Sequence, residues 1–172
     1  MSLAWHRMIF GEKNNKVSII VVNWNGGRLL TDCLGALSDQ TYPNYEIILV
    51  DNGSADDSVC FTRDNFPEVR IVALTENRGF TGGNAAGLEV ARGDFVGLVN
   101  NDARPAKTWL ENLIQPMLED RSIGVCASKL VFENSQTVNS AGDGLTTAGV
   151  GFNRGLGSEA AGFAVPELVF GA

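Results

Sequence analysis

A chain of 172 residues, 44% hydrophobic and 19% charged, with a mean hydropathy of +0.02, has the balance of one soluble globular domain rather than a disordered or membrane-embedded polypeptide. Its formal net charge of −7 excludes a broad electrostatic footprint for nucleic acid, although an acidic protein still binds a nucleotide diphosphate when a divalent cation stands between the two. Cys33, Cys60 and Cys126 have no C-x-x-C spacing, which argues against a disulfide framework or a zinc site and reads as buried, reduced thiols of a cytoplasmic protein.

Residues 1–16, with Trp5 and His6, read as an N-terminal extension or a cloning-derived segment and carry no signal-peptide pattern. Residues 17–22 (Val-Ser-Ile-Ile-Val-Val) form a β-branched run that predicts a buried strand ending in the polar loop 23–27. Leu29, Leu30, Cys33, Leu34 and Leu37 then predict a helix over 28–38. The unit repeats: a strand over 46–50, the loop 51–54, and a helix to about Asn65 with Ser54 or Asp56 as its N-cap. A strand over 69–74 leads into a glycine-rich loop over 75–83 and a helix over 84–91. A strand over 94–99 is followed by the turn 100–102 and a helix over 107–118, and 123–128 reads as a fifth strand. The tail, 133–172, carries eight glycines in 40 residues and little helical periodicity, and reads as short strands and turns. The apolar runs fall far short of the roughly 18 residues of a membrane-spanning helix.

Apolar strands that alternate with helices predict an α/β fold, a mostly parallel sheet covered by helices on both faces. Ligands of such sheets bind at the carboxyl ends of the strands, near a switch in strand order. The polar loops at 23–27, 51–54, 77–84 and 100–102 each follow a strand and so share one rim.

On local pattern, Asp102 is either a turn former or an oxygen ligand for a hard divalent cation. Asp51 is either an Asx-turn residue beside Gly53 and Ser54 or an acceptor for a base or ribose. In the 77–84 loop (Asn-Arg-Gly-Phe-Thr-Gly-Gly-Asn) three glycines permit close backbone approach, while the asparagines and Thr81 offer hydrogen bonds. The spacing of Gly79, Gly82 and Gly83 is not G-x-G-x-x-G, and no P-loop is present. Arg78 reads as a solvated arginine before a phosphate ligand, and Trp24 as a core residue before a base-stacking one. His6 is the sole histidine, which excludes a histidine-centred triad.

Together, residues 17–25 (Val-Ser-Ile-Ile-Val-Val-Asn-Trp-Asn), 48–54 (Ile-Leu-Val-Asp-Asn-Gly-Ser), 76–84 (Glu-Asn-Arg-Gly-Phe-Thr-Gly-Gly-Asn) and 99–102 (Val-Asn-Asn-Asp) resemble, in order and spacing, the opening motifs of family 2 glycosyltransferases, most closely the rhamnosyltransferase-like branch. The resemblance runs from Val17 to the end of the chain. It implies a GT-A type fold with a Rossmann-like nucleotide-binding half, with 17–172 as a single nucleotide-sugar-binding domain incomplete at its C-terminus. Carried over by position, it assigns nucleotide-sugar binding to Val22, Asn23, Trp24, Asn25, Asp51, Asn52, Asn77, Gly79, Gly82, Gly83, Asn84, Asn100 and Asn101. Asp102 becomes the last acid of a D-x-D type motif holding Mg²⁺ or Mn²⁺, with Asn100 standing where many relatives have the first acid. The implied activity is inverting transfer from a dTDP- or UDP-linked sugar to a saccharide or lipid-linked acceptor in surface polysaccharide synthesis, in the cytoplasm or at the inner face of the membrane. The general base is expected in an acceptor-side half beyond Ala172, and Asp143 matches no base motif of the family. Self-association through the face left by that half is a further expectation. The competing readings are a non-catalytic nucleotide-sugar-binding module or inactive fragment, and a nucleotidyltransferase. The last would place a glycine-rich basic loop after the first strand, where this chain has only Arg28.

Overall fold

The computed structural model describes residues 14–133 and 135–169. The expected N-terminal extension, except for 14–16, lies outside them with Trp5 and His6, as do the last three residues, 170–172. The chain divides into two compact units, one ending at Trp109 and the other beginning at Leu110.

The first unit is built on four strands, β1 (Val17–Asn23), β2 (Tyr45–Asp51), β3 (Arg70–Ala73) and β4 (Phe95–Asn100), in the order β3-β2-β1-β4. All three pairings are parallel, so each return must cross over, and helices α1 (Gly27–Ser38), α2 (Ser58–Asn65) and α3 (Gly79–Leu88) supply the crossovers. The predicted α/β class with a mostly parallel sheet is therefore what the chain forms. β1 and β2 are the central strands, and their apolar runs are buried on both faces: Val17, Ile19, Ile20, Val21, Ile47, Ile48, Leu49 and Val50 are all at most 2% exposed. In α1 the buried Leu30, Cys33, Leu34 and Leu37 recur at i, i+3, i+4 and i+7, one stripe of a helix. β4 lies at an edge and alternates, with Val96 and Leu98 exposed and Gly97 and Val99 buried.

Three expectations change in kind. The segment read as a glycine-rich loop to Gly83 is already helix from Gly79, so that Gly82, Gly83 and Asn84 lie inside α3. Each interior glycine costs a helix about 1 kcal/mol relative to alanine, which is why the sequence reads as a loop. Packing decides otherwise: a Cβ on Gly83 would stand 2.6 Å from Val22 Cγ1 and one on Gly87 2.6 Å from Ile20 Cγ2. The missing side chains let α3 lie directly on β1, and Ala86, Val90 and Ala91 close over Ile20, Ile48 and Val50. The helix expected from Ser54 or Asp56 begins instead at Ser58: Ser54 Oγ is taken by Asn23 and Asn25, while Asp56 does accept from the Ser58 amide at the start of the helix. Residues 123–128 are not a strand; an apolar run becomes one only when a ladder partner is in register.

At the amino ends of the strands Glu46 gathers three elements. Its Oε1 accepts from Ser18 Oγ at 2.7 Å and from the Arg92 amide at 2.9 Å, and its Oε2 pairs with Lys16 at 3.2 Å. Burial raises the Glu46 carboxyl, but the hydrogen bonds from Ser18 and Arg92 and the ion pair with Lys16 outweigh it and hold the group below its ordinary value.

The second unit contains most of α4 (Trp109–Glu119), with Leu110 and Ile114 buried, and two antiparallel pairs: β5 (Leu130–Val131) with β6 (Val138–Ser140), and β7 (Asp143–Leu145) with β8 (Gly151–Asn153). A 3-10 turn follows at Ala160–Phe163. These are the short strands and turns that the glycine-rich composition suggests. No helix among the described residues is long and apolar enough to cross a membrane.

Candidate functional site

The chain steps from β1 to β2 to β3 in one direction and then places β4 on the other side of β1. The carboxyl ends of β1 and β4 are therefore a topological switch point, where the loops diverge and leave a crevice. The register brings Asn23 opposite Asp51 and Val22 opposite Asn100, so the polar ends of three strands reach the rim nearly level.

Hydrogen bonds tie these loops together. Asn23, fully buried, donates from Nδ2 to Asp51 Oδ1 and to Ser54 Oγ, both at 3.2 Å, and accepts at Oδ1 from Asn101 Nδ2 at 2.9 Å. Asp51, 3% exposed, also accepts from the Ser54 amide at 3.1 Å, so the Asx-turn and the rim position coexist in one residue. Asn25 adopts a left-handed φ of 52°, which asparagine tolerates better than most residues. Its amide donates to Ser54 Oγ at 2.9 Å and its Oδ1 accepts from the Ala55 amide at 2.8 Å.

Asn52 does the same for the entry to α3. Its Nδ2 donates to Asn77 Oδ1 and to the Gly79 carbonyl, each at 3.0 Å, and its Oδ1 accepts from the Arg78 amide at 2.8 Å. Asn77 Oδ1 in turn accepts from the Gly79 amide at 2.8 Å, and Gly79 has a φ of 69°. Asn84, inside α3, is 7% exposed and donates to the Phe80 carbonyl at 3.0 Å. The structure thus brings 23–27, 51–56, 77–79 and 100–102 to one rim.

Several expected side chains are exposed there. Trp24 is 58% exposed, which overturns the core reading: the turn after β1 carries it out beyond the last ladder pair. Arg78 is solvent-facing beside Glu76 at 3.9 Å. Asn100 and Asp102 are exposed, and Asp102 makes no hydrogen bond or ion pair among the described residues. Beneath the turn lies Cys33, whose thiol is pushed up to about 12 by burial and, second, by the negative charge of Asp102. It donates to the Asn100 carbonyl at 3.5 Å and at that pKa is an inert thiol. The expectation of three buried thiols holds for Cys33 alone, Cys60 being exposed and Cys126 intermediate.

Sequence reasoning missed the role of Gly26 and, for Asp56, named only the helix-capping half of its role. A Cβ on Gly26 would stand 2.2 Å from Asn23 Oδ1, and only the Gly-Gly pair after a strand-end asparagine hints at it. Asp56 accepts from the Gly27 amide at 3.2 Å and the Ser58 amide at 3.1 Å, the first amides of α1 and α2. Burial raises its carboxyl, and the bonds from Ser58 and Gly27 prevail and lower it.

The sequence model of Glycosyl transferase family 2 matches residues 18–157. An uncharacterized glycosyltransferase of Escherichia coli K12, YibD, is 35% identical over 109 residues, covering 62% of this chain and 31% of that protein. Among solved structures, the mannosyltransferase PcManGT from Pyrobaculum calidifontis, in complex with GDP-Man and Mn²⁺, superposes with a TM-score of 0.58 at 28% identity, covering 63% of this chain and 33% of that one. TarS 1–349 of S. aureus, in complex with UDP-GlcNAc, gives a TM-score of 0.55 at 25% identity, covering 70% and 41%. The chain spans about a third of the length of the curated relatives it matches.

Proposed function

Because the chain belongs to glycosyl transferase family 2, we propose that its switch-point crevice binds the nucleotide diphosphate-sugar donor of an inverting, metal-dependent transfer to a saccharide or lipid-linked acceptor. The observation that carries this reading is Asp102: an exposed carboxylate, without a hydrogen bond or ion pair among the described residues, at the β1/β4 switch point. The exposed Trp24 and left-handed Asn25 flank the crevice on the β1 side, with Asp51 behind them, and these take the base and ribose. Asn100 and Asp102 take the diphosphate side, with the first turn of α3 from Gly79 facing the sugar. The complexes of PcManGT with GDP-Man and of TarS with UDP-GlcNAc support a donor of this class.

The donor set at the turn suits a divalent cation shared with the substrate. Asp102 and Asn100 offer hard oxygen atoms, no group of three or more His, Cys, Asp or Glu gathers among the described residues, and Mg²⁺ or Mn²⁺ of this kind completes its shell from phosphates and water. When bound, the cation supplies charge stabilisation for the departing diphosphate. The chain's own part is to orient the donor, its buried Asn23 and Asp51 having no freedom to move. Deprotonation of the acceptor hydroxyl requires a carboxylate on the opposite face of the sugar, and we assign it to the acceptor side of a longer protein. Within this reading, a dTDP-linked deoxysugar such as rhamnose, a role in surface polysaccharide synthesis and work at the inner membrane face follow from the motif resemblance.

Calorimetric titration with UDP and dTDP, with and without Mn²⁺, tests the reading. Binding that Mn²⁺ strengthens, and that Asp102→Ala weakens roughly ten- to hundredfold only when Mn²⁺ is present, is expected. Equal affinities for wild type and variant at saturating Mn²⁺ would remove Asp102 from the site.

A further inference from the structure

We propose that Asn23 is a positioning residue of the donor site, one that makes no contact with the donor but fixes the 100–102 turn, and with it Asp102, to the ends of β1 and β2. The inference rests on the donor-site reading above. A side-chain amide offers two N–H donors and one carbonyl oxygen. In Asn23 both donors are used, on Asp51 Oδ1 and Ser54 Oγ, and the oxygen takes Asn101 Nδ2. With 0% of the residue exposed, no face remains for a ligand. Chemistry also fixes which way the amide points: Asp51 as a carboxylate accepts only, so Nδ2 must face it, and Oδ1 is then turned toward Asn101. The peptide after Asn101 carries Asp102, so this bond joins the cation-side turn to the nucleoside-side loops.

Gly26 supports the same conclusion independently. Its φ of −77° and ψ of −23° suit any residue, so the backbone makes no demand for glycine. Space does: a Cβ there would lie 2.2 Å from Asn23 Oδ1 and 2.7 Å from Asn101 Nδ2, on top of the bond in question. Adding one methyl group at Gly26 should therefore break the tether without touching a residue that faces the crevice.

The test uses Asn23→Ala and Gly26→Ala, with Asn101→Ala cutting the bond from its less buried end should either of the others fail to fold. In ¹H–¹⁵N spectra of the free chain the amides of Asn101, Asp102 and Ala103 should move in a common direction in all folded variants, while those of Leu34 and Leu37 stay. In titrations, the strengthening of UDP binding by Mn²⁺ should fall roughly ten- to hundredfold in every folded variant, with UMP binding in the absence of metal unchanged in Gly26→Ala. Amides of 101–103 that keep their wild-type positions overturn the proposal. So does an equal loss of UMP and of Mn²⁺–UDP binding in Gly26→Ala, which would mean that the tether does not act on the cation side alone. A folded wild type that binds no UDP retires the donor reading and leaves the amide shifts to decide the tether on their own.

Discussion

Gly87→Ala puts the contact between α3 and β1 to a quantitative test. In an open helix the change would add about 1 kcal/mol of stability through propensity alone. At this position the new Cβ would stand 2.6 Å from Ile20 Cγ2, 3.1 Å from Cδ1 and 3.2 Å from Cγ1. Ile20 is 0% exposed and packed with Ile48 and Val50, and its β-branch leaves few χ1 alternatives. The helix must rise or the strand must shift, and overpacking of that kind costs about 1–3 kcal/mol. The overpacking exceeds the propensity gain, and the expected net loss is about 1 kcal/mol. Gly35→Ala in α1 is the matched control, because nothing lies within 4 Å of its added Cβ; it should gain about 0.5–1 kcal/mol. Thermal melts should therefore move in opposite directions, by roughly 2–4 °C per kcal/mol for a chain of this size. A Gly87→Ala protein that melts at or above the wild type would refute the close approach of α3 to the sheet.

Two further outcomes follow from carboxylates held below their ordinary range. The folded pKa of Glu46 lies under its unfolded value of 4.5, so its contribution is present above that value and is lost as pH falls through the folded one. Melting temperature should drop on acidification from pH 5 toward pH 3 in the wild type and less steeply in Glu46→Gln; parallel curves would show that the Ser18, Arg92 and Lys16 contacts carry no linkage. Asp56→Ala should lose the acceptor of the first amides of both α1 and α2 and destabilise by roughly 1–2 kcal/mol in urea denaturation, and an unchanged midpoint would mean that water replaces both bonds.

Much of the first unit was legible because its signals are local. The stripe of Leu30, Cys33, Leu34 and Leu37 and the unbroken apolar runs of β1 and β2 each sit in one window and answer to one period. The start of α3 is less legible for the opposite reason: Gly79, Gly82 and Gly83 look like a loop, and only the contact of Gly83 with Val22, like that of Gly87 with Ile20, shows why a helix lies there. The 123–128 run has strand composition without the register that makes a strand. At the rim, the rule for parallel sheets located the polar loops, yet it did not separate residues that face the crevice from those that brace it. Asn23 and Asn52 read as ligand contacts through the motif resemblance; that their amides are consumed internally depends on partners 28 and 78 residues away in one case and 25 to 27 in the other. Trp24 was placed by composition, and only the turn after β1 decides that it points outward.

The strand order also bears on how the chain assembles. β1 meets β2 after a return of 28 residues, whereas the contact between Asn23 and Asn101 closes 78. The longer closure costs roughly 1 kcal/mol more in chain entropy, and distant pairings form slowly. β1, β2 and β3 can thus zip in sequence while β4 waits for the whole intervening chain to settle, so the crevice is among the last features to appear. A molecule that bridges β1 and β4 meets its full complement of partners only on a finished sheet, and its binding would draw late-assembling chains toward the completed state by mass action.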